Sequence, residues 1–157
     1  IPRGWQDADF RLIVAKCRTD VRFLYSGCLR AVGSDLPAFM PQRHANGRRM
    51  AEEERCVFLA EKYPVHFGIV DAWMAGDGSR GRHPNATHTL MASRNILALD
   101  WVVGEKMNVD PAFNDIVHAA VLRWGKVGVD RRGNQTPWST WKNASIAGAV
   151  WAGLTRS

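Results

Sequence analysis

The stretch HFGIVDAWMAGDGSRGRHPNATHTLMASRNILALDWVVGEKMNVDP, from His66 to Pro111, decides the fold. Val65 to Met74 is apolar and rich in strand-forming residues, so it predicts a strand. Ala75 to Thr87 holds three glycines, a proline and no large apolar residue, which predicts a long loop. His88 to Ser93 predicts a second strand. Ile96 to Met107 predicts a helix with Asn95 as its N-cap, and Leu97, Trp101, Val102 and Met107 on its apolar faces. Asp110-Pro111 breaks the chain, and Pro111 suits the first position of a further helix reaching Trp124, with Ile116, Val117, Ala120, Val121 and Trp124 inward.

Working outward, Phe10 to Cys17 (FRLIVAKC) reads as a buried strand followed by a polar loop, Arg18-Thr19-Asp20. Leu24 to Val32 predicts a short helix stopped by Gly33, and Pro37 to Gly47 a loop. Arg48 to Tyr63 predicts a helix ended by Pro64, with Met50, Val57, Phe58 and Tyr63 inward and Glu52, Glu53, Glu54 and Arg55 outward. Beyond Gly125 the pattern weakens: Val127 to Asp130 suggests a short strand, and Ser145 to Leu154 a terminal helix. Strands alternating with helices predict an α/β fold with a mostly parallel or mixed sheet and helices packed on it. Residues 1–157 read as a single α/β domain.

Composition narrows the class. Hydrophobic residues make up 46% and charged residues 23%, so a packed core is expected rather than disorder. No apolar run approaches the roughly 18 to 20 residues of a membrane span. The chain opens on Ile1-Pro2 without an initiator Met or a leader, which predicts a fragment or processed product. Cys17, Cys28 and Cys56 are odd in number and far apart, so free thiols and a cytoplasmic location are expected. The net charge of +6 favours an anionic partner. The basic residues are scattered, with short clusters at Arg48-Arg49 and Arg131-Arg132, which disfavours nucleic acid.

Three constellations suggest chemistry. Lys16, Arg18 and Thr19 end a predicted strand, where α/β sheets bind ligands, and Arg30 is placed to join them around a phosphate or carboxylate. Asp71 and Asp77 flank the loop, where they are candidate catalytic groups for orienting water, accepting a proton or holding a hard cation; Gly76 and Gly78 allow close approach to a ligand. Ser93 and Arg94 precede a helix start, a favourable place for an anion. Asp100 is either a partner for Arg94 or a site residue, with a structural role favoured. The histidines are dispersed, and His83 and His88 lack diagnostic metal spacing, so no metal is expected and no cofactor is identified. Neither a Walker loop, a dinucleotide fingerprint nor a Gly-x-Ser-x-Gly elbow is present. Trp138 and Trp141 form a candidate stacking patch, with packing the commoner use.

The motifs also carry a resemblance. Gly68-Ile69-Val70-Asp71, the glycine loop, Leu90-Met91-Ala92-Ser93-Arg94-Asn95, Ala98-Leu99-Asp100 and Val109-Asp110-Pro111 resemble, in order, I-V-D-G, E-G-x-G, L-A-S-x-D-P-V-A-L-D and G-x-D-P of the family catalogued as domain of unknown function 362. Asp7-Ala8-Asp9, Lys16-Cys17-Arg18-Thr19-Asp20 and Cys28-Leu29-Arg30-Ala31-Val32-Gly33 resemble its D-A-D, K-x-K-T-H and S-L-K-N-L-x-G motifs. The likeness runs from Asp7 to Pro111, about two-thirds of the chain. It implies an α/β domain often found beside ferredoxin modules, distantly similar to nickel-dependent lactate racemases, with a cleft and no settled activity. Asp20 stands where the motif has His, Arg18 where it has Lys, and Asp77 where the loop is acidic. The family's N-terminal half is missing, which implies a fragment or a partner that completes the cleft. The sequence thus leads to an uncharacterised ligand-binding or enzyme-like domain with a small anionic ligand. A non-catalytic interaction module, as a homo-oligomer or with a completing partner, is the alternative. Nucleic-acid binding through the basic surface is the second alternative.

Overall fold

A computed structural model describes residues 2–34, 49–78, 81–138 and 141–144. A short helix, α1 (Arg3–Gln6), leads into β1 (Leu12–Asp20), β2 (Leu24–Ser26), α2 (Cys28–Ser34) and α3 (Glu52–Lys62). There follow β3 (Phe67–Asp77), β4 (His83–Ala86), β5 (Leu90–Ser93), α4 (Ile96–Lys106), a 3-10 turn at Pro111–Phe113 and α5 (Asp115–Trp124). The five strands make one mixed sheet, so the chain has an α/β fold. β1 runs parallel to β3, and β2 antiparallel to β1. The first half of β3 pairs antiparallel with β5 and its second half antiparallel with β4.

Alternation along the strands decides which face is covered. Ile13, Ala15, Cys17 and Thr19 of β1 are buried, as are Gly68, Val70 and Ala72 of β3. α2 and α4 press on this face. A Cβ on Gly68 would lie 2.9 Å from Ile96 Cγ2 and 3.1 Å from Cys28 Sγ, so the sheet needs glycine there to admit both helices. α3 and α5 pack against the other helices, closing a core that includes Leu29, Leu59, Val103, Ile116 and Val117. Among the described residues, no element covers the opposite face. Leu12, Val14 and Lys16 are exposed there beside Ile69, Asp71, Leu90 and Ala92, in register across β1, β3 and β5.

Local capping accounts for several boundaries. The Asn95 carboxamide oxygen accepts from Leu97 N and Ala98 N at 3.0 Å each, as its position before the helix predicts. Asp110 accepts from Ala112 N at 2.9 Å, so the predicted helix from Pro111 is broken into a 3-10 turn. The buried Asn114 accepts from Ile116 N and Val117 N and donates to the Tyr25 carbonyl, which restarts the chain as α5.

Five expectations are corrected. Arg18-Thr19-Asp20 is not a loop but the end of β1, because β2 pairs with it through Arg18–Ser26, Thr19–Tyr25 and Asp20–Leu24. The helix expected from Leu24 starts at Cys28, since Leu24 to Ser26 are taken up by that pairing. The long loop from Ala75 is largely a hairpin: β3 continues to Asp77 and His83–Ala86 pairs back on it. Val127 to Asp130 adopts no regular strand. The helix predicted from Arg48 begins at Glu52. The loop expected over Pro37 to Gly47 and the terminal helix expected over Ser145 to Leu154 lie outside the described residues. No helix among the described residues is long and apolar enough to cross a membrane.

Candidate functional site

Most of the residues singled out by sequence gather at the carboxyl end of the parallel pair β1–β3. The Lys16 ammonium lies 2.9 Å from Asp71 Oδ2 on the uncovered face. The other Asp71 oxygen accepts from Trp73 N at 2.9 Å. Lys16 holds the Asp71 carboxyl below its usual range, helped by the Trp73 N–H. Two strand positions further on, Arg18 faces Gly76 across a point where β3 bulges away from β1. A Cβ on Gly76 would lie 2.8 Å from Gly81 Cα, so glycine here serves the close return of the hairpin. Gly78, at φ 89°, donates its N–H to Thr19 Oγ1 at 2.7 Å.

Asp77 is buried, 6% exposed, and accepts from Lys142 N at 2.9 Å and Asn143 N at 3.1 Å. It clasps the C-terminal segment to the end of β3. Each candidate catalytic carboxylate is therefore engaged on both oxygens. Arg30 lies elsewhere, on the covered side of the sheet. Its Nη1 is 2.6 Å from Glu52 Oε1, and its guanidinium stacks over Phe23 beside Arg22, which bonds Glu52 and Glu53. The acidic start of α3 thus pairs with cations from α2 and the β1–β2 turn.

Ser93 and Arg94 sit at the far end of the sheet. Because β5 is antiparallel to β3, with Ser93 opposite Gly68, α4 begins beside the amino end of β3. The expected anion site at strand carboxyl ends is not assembled from that helix start. Ser93 Oγ instead accepts from Asn95 N at 3.0 Å, and Arg94 is exposed. Asp100 does not pair with Arg94. It is 2% exposed, and its two oxygens accept from Cys28 N at 2.7 Å and Leu29 N at 2.8 Å. Burial pushes its carboxyl up to about 7 against the pull of these N–H groups. A Cβ on Gly27 would stand 2.3 Å from its Oδ1, so glycine precedes α2 to make room for the carboxylate.

Thiol chemistry finds no exposed group: all three cysteines are buried, and burial pushes Cys17 and Cys56 up to about 12 and Cys28 higher still. Among the described residues, no group of three or more His, Cys, Asp or Glu is placed to hold a metal ion.

A groove that the sequence does not single out lies beside β5. Its volume is about 630 Å³, and β5, α4 and the segment 127–135, which has no regular secondary structure, form its walls. Ala98, Leu99 and Val102 give an apolar side; Lys106, Arg131 and Arg132 bring three cations to the lining, with Asp130 as its carboxylate. The segment is tied at Lys106, whose Nζ donates to the Asn134 carbonyl at 2.6 Å and the Thr136 carbonyl at 2.8 Å. Further on, Trp138 N donates to the Lys106 carbonyl, and Trp138 Nε1 to Thr89 Oγ1 at 3.2 Å. Arg131 pairs with Glu105. Of the residues in the three constellations read from sequence, Ser93 alone lines this groove. The pair Arg131-Arg132 was its one visible signal, since residues 127–135 have no periodicity to place them.

No protein-family model, curated protein or solved structure matches the chain. The likeness to domain of unknown function 362 rests on the motifs quoted above.

Proposed function

We propose that this chain is a ligand-binding α/β domain whose site is the groove beside β5, and that its ligand carries carboxylate or phosphate. The observation that carries this reading is the excess of cations in one concave lining. Arg132 reaches Asp130 at 3.8 Å, with both side chains almost wholly exposed. A pair of this kind contributes little in water, so Arg132 can exchange Asp130 for a ligand anion at small cost. The apolar wall excludes water from one side of the ligand and strengthens the contact. Binding is better supported than catalysis, because Asp71 and Asp77 already hold hydrogen bonds on both oxygens. Titration calorimetry with inorganic phosphate and with citrate at low salt tests the reading. Both anions are expected to bind, and Arg132→Ala to weaken them about tenfold or more, the equivalent of one charge-assisted hydrogen bond. Absence of binding by either anion at millimolar concentration sinks the proposal.

A second reading is favoured by the uncovered sheet face. Val14 is 60% exposed, Leu90 64% and Trp73 53%, around the Lys16–Asp71 pair. A two-fold arrangement would set Lys16 of one copy against Asp71 of the other, with apolar side chains around them. This reading makes the domain an interaction module acting as a homo-oligomer. Sedimentation equilibrium should then show a dimer that Val14→Lys dissociates; a monomer at every concentration rejects it.

A further inference from the structure

Strand pairing sets which backbone groups of β5 face the groove. Ala72 N donates to the Thr89 carbonyl at 3.1 Å, and this pair continues the register in which Asp71 faces Leu90 and Gly68 faces Ser93. In an antiparallel ladder, hydrogen-bonded and non-bonded pairs alternate. Thr89, Met91 and Ser93 therefore direct their N–H and C=O groups to β3. Leu90 and Ala92 direct theirs outward, where no described residue meets them. Exposed edges of this kind template the addition of another strand unless they are blunted. β4 carries Pro84, whereas β5 (Leu90-Met91-Ala92-Ser93) has neither proline nor charge.

Resting on the groove as the ligand site, we propose that its ligand is an extended acidic peptide that adds a strand to the outer edge of β5. Leu90 and Ala92 would each donate and accept one backbone hydrogen bond, the mode by which strand-adding peptides gain affinity. Four extended residues cover about 13 Å, the length of β5. Side chains of the added strand alternate. One set lies beside Leu90 and Ala92 on the apolar open face. The other set points to the groove side, toward the lining that holds Arg131, Arg132 and Lys106 against Asp130. Acidic residues match that excess of positive charge, and small apolar residues match Leu90. The segment 127–135 also lines the groove, so the added strand would lie between it and the edge of β5.

The test uses fluorescence anisotropy with a short, end-blocked, labelled peptide of alternating Val and Glu. Three comparisons accompany it: the same peptide N-methylated at the pairing residues, a peptide with Lys in place of Glu, and titration with phosphate and citrate. Ala92→Pro removes an outward N–H while leaving the β3 ladder bonds in place, because proline is tolerated where the N–H faces away from its sheet. The Val/Glu peptide is expected to bind, and N-methylation, Lys for Glu and Ala92→Pro are each expected to weaken it at least tenfold. Circular dichroism checks that this variant folds; if it does not, the N-methylated series decides. Phosphate or citrate binding with no peptide binding, or peptide binding unchanged by N-methylation, overturns strand addition and leaves the anion groove standing. Failure of both anions and peptide overturns both.

Discussion

Replacing Asp100 with Asn should reshape the dependence of stability on pH. The buried carboxyl moves from an ordinary value of 3.8 to about 7. Its folded value is raised, so the group binds its proton more tightly in the folded than in the unfolded chain. Stability from this group is fully present below about pH 4 and is lost as pH rises toward about 7. At about 1.4 kcal/mol for each unit, the loss totals about 4 kcal/mol. Asp100→Asn cannot ionise, which removes this slope. It also turns an amide NH₂ toward one of the two donors, Cys28 N or Leu29 N. Leaving one buried N–H unsatisfied costs about 1–3 kcal/mol. The variant should therefore be less stable than the parent near pH 4 and more stable near about pH 8, with the curves crossing between. Urea unfolding followed by tryptophan fluorescence across this range measures the difference. A gap between parent and variant that stays constant with pH would refute the reasoning, because ionisation of Asp100 would then be uncoupled from folding.

Asp77→Ala frees two backbone N–H groups and should destabilise the domain by about 3–6 kcal/mol in urea unfolding, since hydrogen bonds to a charged group contribute about 1.5–3 kcal/mol each; a change within experimental error removes the clasp from the account. The same variant should expose the chain around Lys142 to trypsin, and an unchanged digestion pattern would count against it. Lys16→Ala breaks an ion pair that is about half exposed on the Lys side, so a loss no greater than about 1 kcal/mol is expected. A larger loss in the same unfolding assay would show that the uncovered face is buried in solution, as the dimer reading requires.

Much of the fold was legible because its signals are local. Asn95 caps α4 through N–H groups two and three residues ahead. The apolar run from Phe10 to Cys17 marks a strand before any partner is known, but its one covered face, with Ile13, Ala15 and Cys17 buried and Leu12, Val14 and Lys16 exposed, appears only in the structure. The site was harder to read. Lys16 and Asp71 were both chosen from sequence, yet their pairing spans 55 residues and depends on β1 lying parallel to β3. Arg30 reads as a free cation until α3 brings Glu52 to it. Asp77 reads as a loop carboxylate until Lys142 and Asn143 return to it.

Sequence by itself determined the α/β character, most strand and helix positions and the Asn95 cap, because apolar patterning and capping act over a few neighbouring residues. Tertiary structure decided the direction of β5, and with it the end of the sheet at which α4 begins. It also decided which carboxylates are already engaged, and it formed the groove between β5, α4 and residues 127–135. Those features depend on contacts between distant segments, whose pairing follows from how the whole core packs and not from any local pattern.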